Sequence, residues 1–243
     1  MTLVEIIIIL TTFLAAFIQG VAGFGFALVT MPVLAGLTSI HVAAPLVALT
    51  TLTNDTLLCL YYRRSCDRKV VAQLLFGSVL GIPFGFLALR YIPAAWMLIT
   101  LGIVILIYSL YALIAPVMPE LKSQLWPYGT GWVSGILIGS YNLPGPPVVL
   151  YGNSQRWPQE KFKSNLTSFF WVNAVLVVLG HGLQQRISPE IFHQFLITIP
   201  SLIVGLLSGV TLSKIFNPLI FTRIVLGILM VIGIRLVILG VQS

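Results

Sequence analysis

The sequence predicts an all-α polytopic membrane protein. Of its 243 residues, 58% are hydrophobic and only 8% are charged, whereas a soluble domain carries about 25% charged residues. So little charge cannot cover a soluble surface of this size, which excludes an ordinary soluble enzyme, a nucleic-acid-binding module and a disordered chain. The sequence also contains a succession of apolar runs, most of them long enough to cross a bilayer. We therefore expect the surface to face a lipid bilayer.

The apolar runs are separated by short polar, basic or proline-bearing breaks, none of which could hold a separate domain. Strict alternation of polar and apolar residues over about ten positions, the pattern of a membrane β-strand, is absent. A helix satisfies its backbone hydrogen bonds internally, so a helical bundle is the expected solution in lipid. The runs cover residues 3–20, 21–36, 42–61, 70–89, 94–115, 128–151, 165–182, 191–212 and 219–240.

The net charge is +7, from 13 Lys and Arg against 6 Asp and Glu. Because the cations lie in short loops between apolar runs, we interpret them as setting orientation in the membrane and expect no nucleic-acid partner. Cys59 and Cys66 are too few for a disulfide framework. His41, His181 and His193 share no metal-ligand spacing, so we expect no metal and no cofactor.

The chain looks duplicated, with repeat 1 over residues 1–118 and repeat 2 over residues 119–243 of a single membrane domain. Each repeat begins with a segment interrupted by Gly or Pro and continues with three uninterrupted apolar runs. Glycines recur at similar offsets in the two halves: Gly20 matches Gly139, Gly25 matches Gly145, Gly81 matches Gly205, Gly85 matches Gly209, and Gly102 matches Gly227.

The distribution of cations decides between parallel and inverted repeats. If each interrupted segment crosses once, giving eight crossings, the cations divide 7 to 6 between the two sides. If each is a re-entrant hairpin, they divide 10 to 3, and only Arg90, Arg186 and Arg235 lie outside. Cytoplasmic loops carry an excess of Lys and Arg. We therefore predict inverted repeats, six full crossings, two hairpins and both termini outside, while single kinked spans stay the open alternative.

Inverted repeats with broken helices are typical of secondary transporters that work by alternating access. Irregular backbone at membrane depth is tolerated only where it lines a cavity or is buried in protein. The free amides at a half-helix N-terminus carry a partial positive charge, so they suit an anion. We therefore expect a small anionic substrate near the midplane.

The segments that open the two halves are Gly20-Val-Ala-Gly-Phe-Gly-Phe with Pro32, and Gly131-x-x-x-Gly135 continuing through Asn142-Leu-Pro-Gly-Pro-Pro147. The chain resembles the TauE/SafE sulfite exporter (TSUP) family in these segments, in its length and in its two-fold repeat. The resemblance covers nearly the whole chain. This resemblance implies transport of sulfur-containing or small organic anions, such as sulfite, sulfoacetate or thiosulfate.

The candidate substrate-binding residues lie at or near the two breaks. Gly23, Gly25 and Gly145 could present backbone amides to an anion, although small residues also serve close helix packing in membranes. Packing is the preferred interpretation for Gly81, Gly85, Gly205 and Gly209, which are regularly spaced.

Amide and carboxyl side chains complete the candidate site. Gln19 and Asn142 lie beside the breaks, where they could donate to an anion or instead bond freed backbone groups. Asn54 and Asn173 are the deeper amides of the two halves. Asp55 is the candidate proton-coupling residue, because a costly intramembrane carboxylate usually faces the bundle interior. The alternative is that Asp55 has a purely structural role and forms an ion pair with Arg63 or Arg64.

We therefore expect a secondary transporter, and no enzyme, in a bacterial-type inner (plasma) membrane, compatible with a homodimer. The Walker-A motif of ATP-driven pumps is absent. A permease for an unrelated solute or ion is the main alternative. An intramembrane enzyme is the weaker one, because it would need several ionisable groups converging at depth.

Overall fold

The computed structural model describes residues 2–62, 65–114, 119–213 and 218–242. Within these ranges the chain forms ten α-helices, and the second helix of each half is short. They are α1 (Leu3–Ala22), α2 (Phe26–Leu37), α3 (Ile40–Tyr62), α4 (Arg68–Tyr91), α5 (Ala94–Ile114), α6 (Trp126–Tyr141), α7 (Gly145–Ser154), α8 (Gln159–Leu183), α9 (Pro189–Leu212) and α10 (Pro218–Gln242).

Capping residues define where several helices begin. The Thr2 side chain accepts from the Glu5 backbone amide at 3.2 Å, and the Glu5 carboxylate accepts from the Thr2 amide at 2.8 Å. This reciprocal pair satisfies two of the amides that the first turn of α1 leaves free. The Asp67 carboxylate accepts from the Val70 amide at the start of α4, so a polar residue marks each of these two starts.

Seven described helices are long and apolar enough to cross a membrane: α1, α3, α4, α5, α8, α9 and residues Arg223–Gln242 of α10. This agrees with the all-helical membrane fold expected from composition. The sequence predicted six crossings. The additional helix is α1, which continues uninterrupted to Ala22 and so reaches the length of a full span.

Two pairs of helices run in the same direction and pack through glycines. A Cβ placed on Gly205 or Gly209 of α9 would overlap the backbone of Phe13 or Phe17 of α1, respectively, so residue numbers rise together along α1 and α9. In the same way, Gly131, Gly135 and Gly139 of α6 meet the backbone of Leu74, Ser78 and Ile82 of α4. Such close approach is possible only without a side chain.

Two other pairs are antiparallel. The Trp171 indole of α8 donates to Thr56 of α3 at 3.1 Å, while Lys163 contacts Tyr62 at 3.4 Å. Gly240 and Gly233 of α10 face Ala95 and Gly102 of α5 in opposite order. The most deeply buried helix is the short α2, whose residues from Phe26 to Pro32 are all buried.

Candidate functional site

Both broken segments turn at residues in the left-handed backbone region. Helix α1 ends at Gly23 (φ 85°) and α2 begins after Gly25 (φ 113°). Helix α6 ends at Asn142 (φ 55°), and α7 begins shortly afterwards at Gly145. Glycine adopts this conformation without steric cost, and asparagine tolerates it best among the other residues. The breaks thus fall inside the glycine-rich segments identified in the sequence.

Gln19 connects the first break to the transmembrane helix α3. Its side-chain nitrogen donates to Oδ1 of Asp55 at 2.7 Å, and its side-chain oxygen accepts from the backbone amide of Phe26 at 3.1 Å. Phe26 is the first residue of α2, so this amide has no partner within its own helix. Gln19 therefore fixes the position of the α2 N-terminus relative to Asp55.

Asp55 is fully buried, and one of its two carboxylate oxygens has no hydrogen-bond partner among the described residues. Its Oδ1 accepts from Gln19 and, at 3.5 Å, from Asn54, whereas no described residue bonds its Oδ2. The Thr51 hydroxyl and the Asn54 side-chain oxygen are likewise buried without a partner among the described residues. Positions 51, 54 and 55 share one helix face. Arg63 and Arg64, the alternative ion-pair partners of Asp55, lie outside the described residues.

The two breaks line one small internal cavity together with Asp55. Its walls include Gln19, Gly25, Phe26, Leu28, Thr51, Asp55, Leu143, Pro144, Gly145 and Phe170. The space open to a water-sized group is about 10 Å³, about the minimum that holds a single water molecule. A polyatomic anion would therefore require this cavity to widen.

The two sides of the cavity differ in the amides that they could offer. Helix α2 begins with residues that all have an N–H, namely Phe26, Ala27 and Leu28. Helix α7 begins with Gly145 followed by two prolines, which have no N–H. At Gly145 a Cβ would meet only the Leu28 side chain, at 3.7 Å. The first break is thus the better amide donor.

The other predicted site residues lie outside the lining of this cavity. Asn142 donates to the Ala44 carbonyl of α3 at 2.7 Å. The Asn173 oxygen accepts from Ser78 at 2.6 Å, and its nitrogen donates to the Phe169 carbonyl at 2.7 Å. These two amides connect helices through protein partners, and the partner of Asn142 is a carbonyl within the continuous helix α3 rather than a backbone group freed at a break. Gly23 contacts the Lys163 side chain.

Sequence reasoning placed no cation deep within the protein, but the structure buries Lys163. Only 5% of this residue is exposed, and its ammonium donates to the Val21 carbonyl at 3.1 Å and contacts the Tyr62 hydroxyl at 3.4 Å. Its position at the start of an apolar run resembled that of a loop cation. Thr51 was also missed, although it lies one helical turn before Asp55.

A salt bridge lies at the same end of α8. Lys161 contacts the Asp67 carboxylate at 2.8 Å, and this hydrogen bond holds the pKa of Asp67 below its usual value. Both side chains are about one third exposed, so the pair contributes little to stability. It places the loop before α4 next to the first turn of α8.

The comparisons with known proteins give one match. A family model described as sulfite exporter TauE/SafE matches residues 8–236. No curated protein matches the chain, and no solved structure matches it.

Proposed function

The chain belongs to the sulfite exporter TauE/SafE family of membrane transporters, and from this premise we propose that it is a secondary transporter of small sulfur-containing or organic anions. Sulfite, sulfoacetate and thiosulfate are the candidate substrates, and the inner (plasma) membrane is the proposed location. The observation that carries the proposal is the shared cavity, because both breaks, Gln19 and Asp55 contribute to its lining.

The proposed transport cycle uses two inverted halves, with repeat 1 over residues 1–118 and repeat 2 over residues 119–243. The helix directions support this arrangement. Helices α3 and α8, which hold corresponding places in the two halves, run antiparallel, as do α5 and α10. If successive spans alternate in direction, α1 runs parallel to α3, and the short α2 must return the chain. Such a hairpin would let one half rock against the other.

The anion would bind to the amides at the start of α2. A helix N-terminus contributes about 0.3–1 kcal/mol to anion binding at a surface and up to about 2 kcal/mol when partly buried. A second contribution could come from the Gln19 amide, if it leaves Asp55 when substrate arrives. A hydrogen bond to a charged group contributes about 1.5–3 kcal/mol, so the two terms together give at most about 5 kcal/mol, which corresponds to an affinity near the millimolar range.

Asp55 is the proposed coupling residue. A negative carboxylate in the same cavity would repel an anion, so protonation of Asp55 would favour binding of the substrate. Proton and anion would then cross together, and loss of the proton would restore the negative carboxylate, which would repel the anion and so favour its release. The unpartnered Oδ2 of Asp55 supports this role, because it is an available position for the proton.

A permease for a cation is the second candidate, and one observation favours it. The buried oxygens of Thr51, Asn54 and Asp55 are acceptors without a donor among the described residues. Oxygen ligands suit hard cations. However, a single carboxylate provides little charge for a divalent ion, so anion transport remains the better-supported function.

A thermal-shift screen of the purified protein tests the proposal. The ligands are sulfite, thiosulfate, sulfoacetate, taurine, chloride and a divalent metal cation, each at equal ionic strength. We expect at least one of the sulfur anions to raise the unfolding temperature in a dose-dependent manner, because a ligand that binds only the folded state stabilises it. A shift with a metal cation alone would support the second candidate instead.

A further inference from the structure

Lys163 inserts a buried positive charge at the first break. Its Nζ donates to the carbonyl of Val21, which belongs to the last turn of α1, where carbonyls lack partners within the helix. The ammonium also lies 5.3 Å from the centre of the Tyr62 ring. A Cβ on Gly23 would lie 2.8 Å from Cγ of Lys163, so the lysine stem packs directly against the break.

The corresponding contact at the second break is neutral. Gly23 and Asn142 both end a helix in the left-handed conformation, and they are 119 positions apart (142 − 23). Lys163 and Ala44 are also 119 positions apart (163 − 44). The first break is connected to α8 by the hydrogen bond from Lys163 to Val21, and the second break is connected to α3 by the hydrogen bond from Asn142 to Ala44. A hydrogen bond from a neutral amide is therefore sufficient to connect a break to the neighbouring helix, and this structural role does not require the charge of Lys163.

The charge of Lys163 is available to an anion. Within the described part of the chain, the one salt bridge joins Lys161 to Asp67, and no carboxylate pairs with Lys163. The bond to the Val21 carbonyl has one ionised partner, whereas a bond to an anion would have two opposite full charges, and the added Coulomb attraction would make it stronger. An anion reaching this point would therefore compete with the Val21 carbonyl for the ammonium.

We propose that Lys163 is an anion-binding residue at one end of the transport path, on the membrane face that carries the loop with Asp67 before α4 (the Asp67 loop). Lys163 keeps the first break closed until an anion replaces the Val21 carbonyl as the partner of its ammonium. This inference rests on the proposed function. The break is connected to the cavity, because the Gly23 amide donates to the carbonyl of Gln19, whose side chain lines that cavity. Release of Lys163 would thus loosen the segment that holds Gln19.

Accessibility of the cavity tests the closing role without any substrate. A single reporter cysteine replaces Thr51 in a background with Cys59→Ala and Cys66→Ser. A membrane-impermeant thiol reagent is applied to one face of sealed membrane vesicles at a time. The variants are Lys163→Met, which keeps the stem, Lys163→Arg, which keeps the charge, and Lys161→Met as the matched control from the same helical turn.

We expect Lys163→Met to accelerate labelling about tenfold from the face of the Asp67 loop and not from the other face. That is the size of effect expected from losing one hydrogen bond with a charged donor. Lys163→Arg and Lys161→Met should label at the rate of the unsubstituted background. An equal rate for Lys163→Met and Lys161→Met would overturn the closing role.

Transport kinetics test the anion-binding role. In proteoliposomes with one orientation, Lys163→Met should raise the KM for sulfite about tenfold on the face of the Asp67 loop only, again the loss of one charged hydrogen bond. A purely structural lysine would change protein yield or both faces equally, and that outcome overturns the inference. If Lys163→Met opens the cavity but even the wild-type protein moves no sulfite, the closing role stands and the proposed substrate is wrong.

Discussion

The side chain of Gln19 lies between the Asp55 carboxylate, 2.7 Å from its nitrogen, and the Phe26 amide, 3.1 Å from its oxygen. The same side chain therefore orients a buried carboxylate and occupies the N–H that begins α2. Because α2 starts inside the cavity wall, any rearrangement of this bridge changes both the charge and the amides that an anion would meet. The proposed coupling between proton and substrate depends on this connection.

Replacement of Gln19 by Leu should weaken substrate affinity. The change removes the side-chain amide that would donate to the anion, and a hydrogen bond to a charged group contributes about 1.5–3 kcal/mol. We expect the KM for sulfite to rise about 10- to 150-fold. Gln73→Leu, on the half-buried part of α4, is the control. Equal kinetics for the two variants would show that the bridge has no part in binding.

Asp55→Asn should uncouple transport from protons. Asparagine is close to the shape of a protonated aspartic acid but cannot release a proton. We expect sulfite exchange at equal pH to continue, whereas an imposed pH gradient no longer drives accumulation. The control is Asp67→Asn, which removes a more exposed carboxylate. If a sodium gradient rather than a pH gradient drives the wild-type protein, the cation at Asp55 is not a proton.

Two glycine substitutions should have opposite effects on stability. Gly25 has φ 113°, so Ala at this position is strained by about 1–2 kcal/mol, and its Cβ would lie 3.2 Å from the Ile18 side chain. Gly129 lies in α6, where a Cβ would meet nothing within 4 Å, so Ala there should stabilise the helix by about 0.5–1 kcal/mol. Thermal unfolding in detergent compares the two. A stable Gly25→Ala variant would argue against the described break.

Single cysteines test the inverted topology. In the background lacking Cys59 and Cys66, cysteines at the exposed positions Ser65 and Glu160 should share one face of the membrane, and Ala94→Cys should lie on the other. In intact cells, only Ala94→Cys should react with an impermeant thiol reagent. Labelling of Ser65→Cys and Glu160→Cys from opposite faces would overturn the inverted arrangement.

Hydropathy and glycine spacing were sufficient to predict the helical membrane fold and the approximate position of both breaks. The packing role of Gly205 and Gly209 also followed from spacing, because every fourth residue returns to one helix face. The partner of Gln19 could not be predicted, since Asp55 is 36 positions away and the contact depends on how α1 packs against α3. Lys163 was missed because a long aliphatic stem lets a lysine reach either water or the interior.

Sulfite counterflow in proteoliposomes tests most directly whether the anion binds between the two breaks. The compared proteins are the wild type, Gly145→Leu, and Arg90→Gln, a cation at the end of α4 and outside that cavity. At Gly145 a Cβ would contact only the Leu28 side chain, at 3.7 Å, so a leucine would occupy the cavity and press on side chains rather than on backbone. We predict that the wild type and Arg90→Gln exchange labelled sulfite at similar rates, whereas Gly145→Leu does not. Exchange by Gly145→Leu at the wild-type rate, together with its loss in Arg90→Gln, would contradict this account.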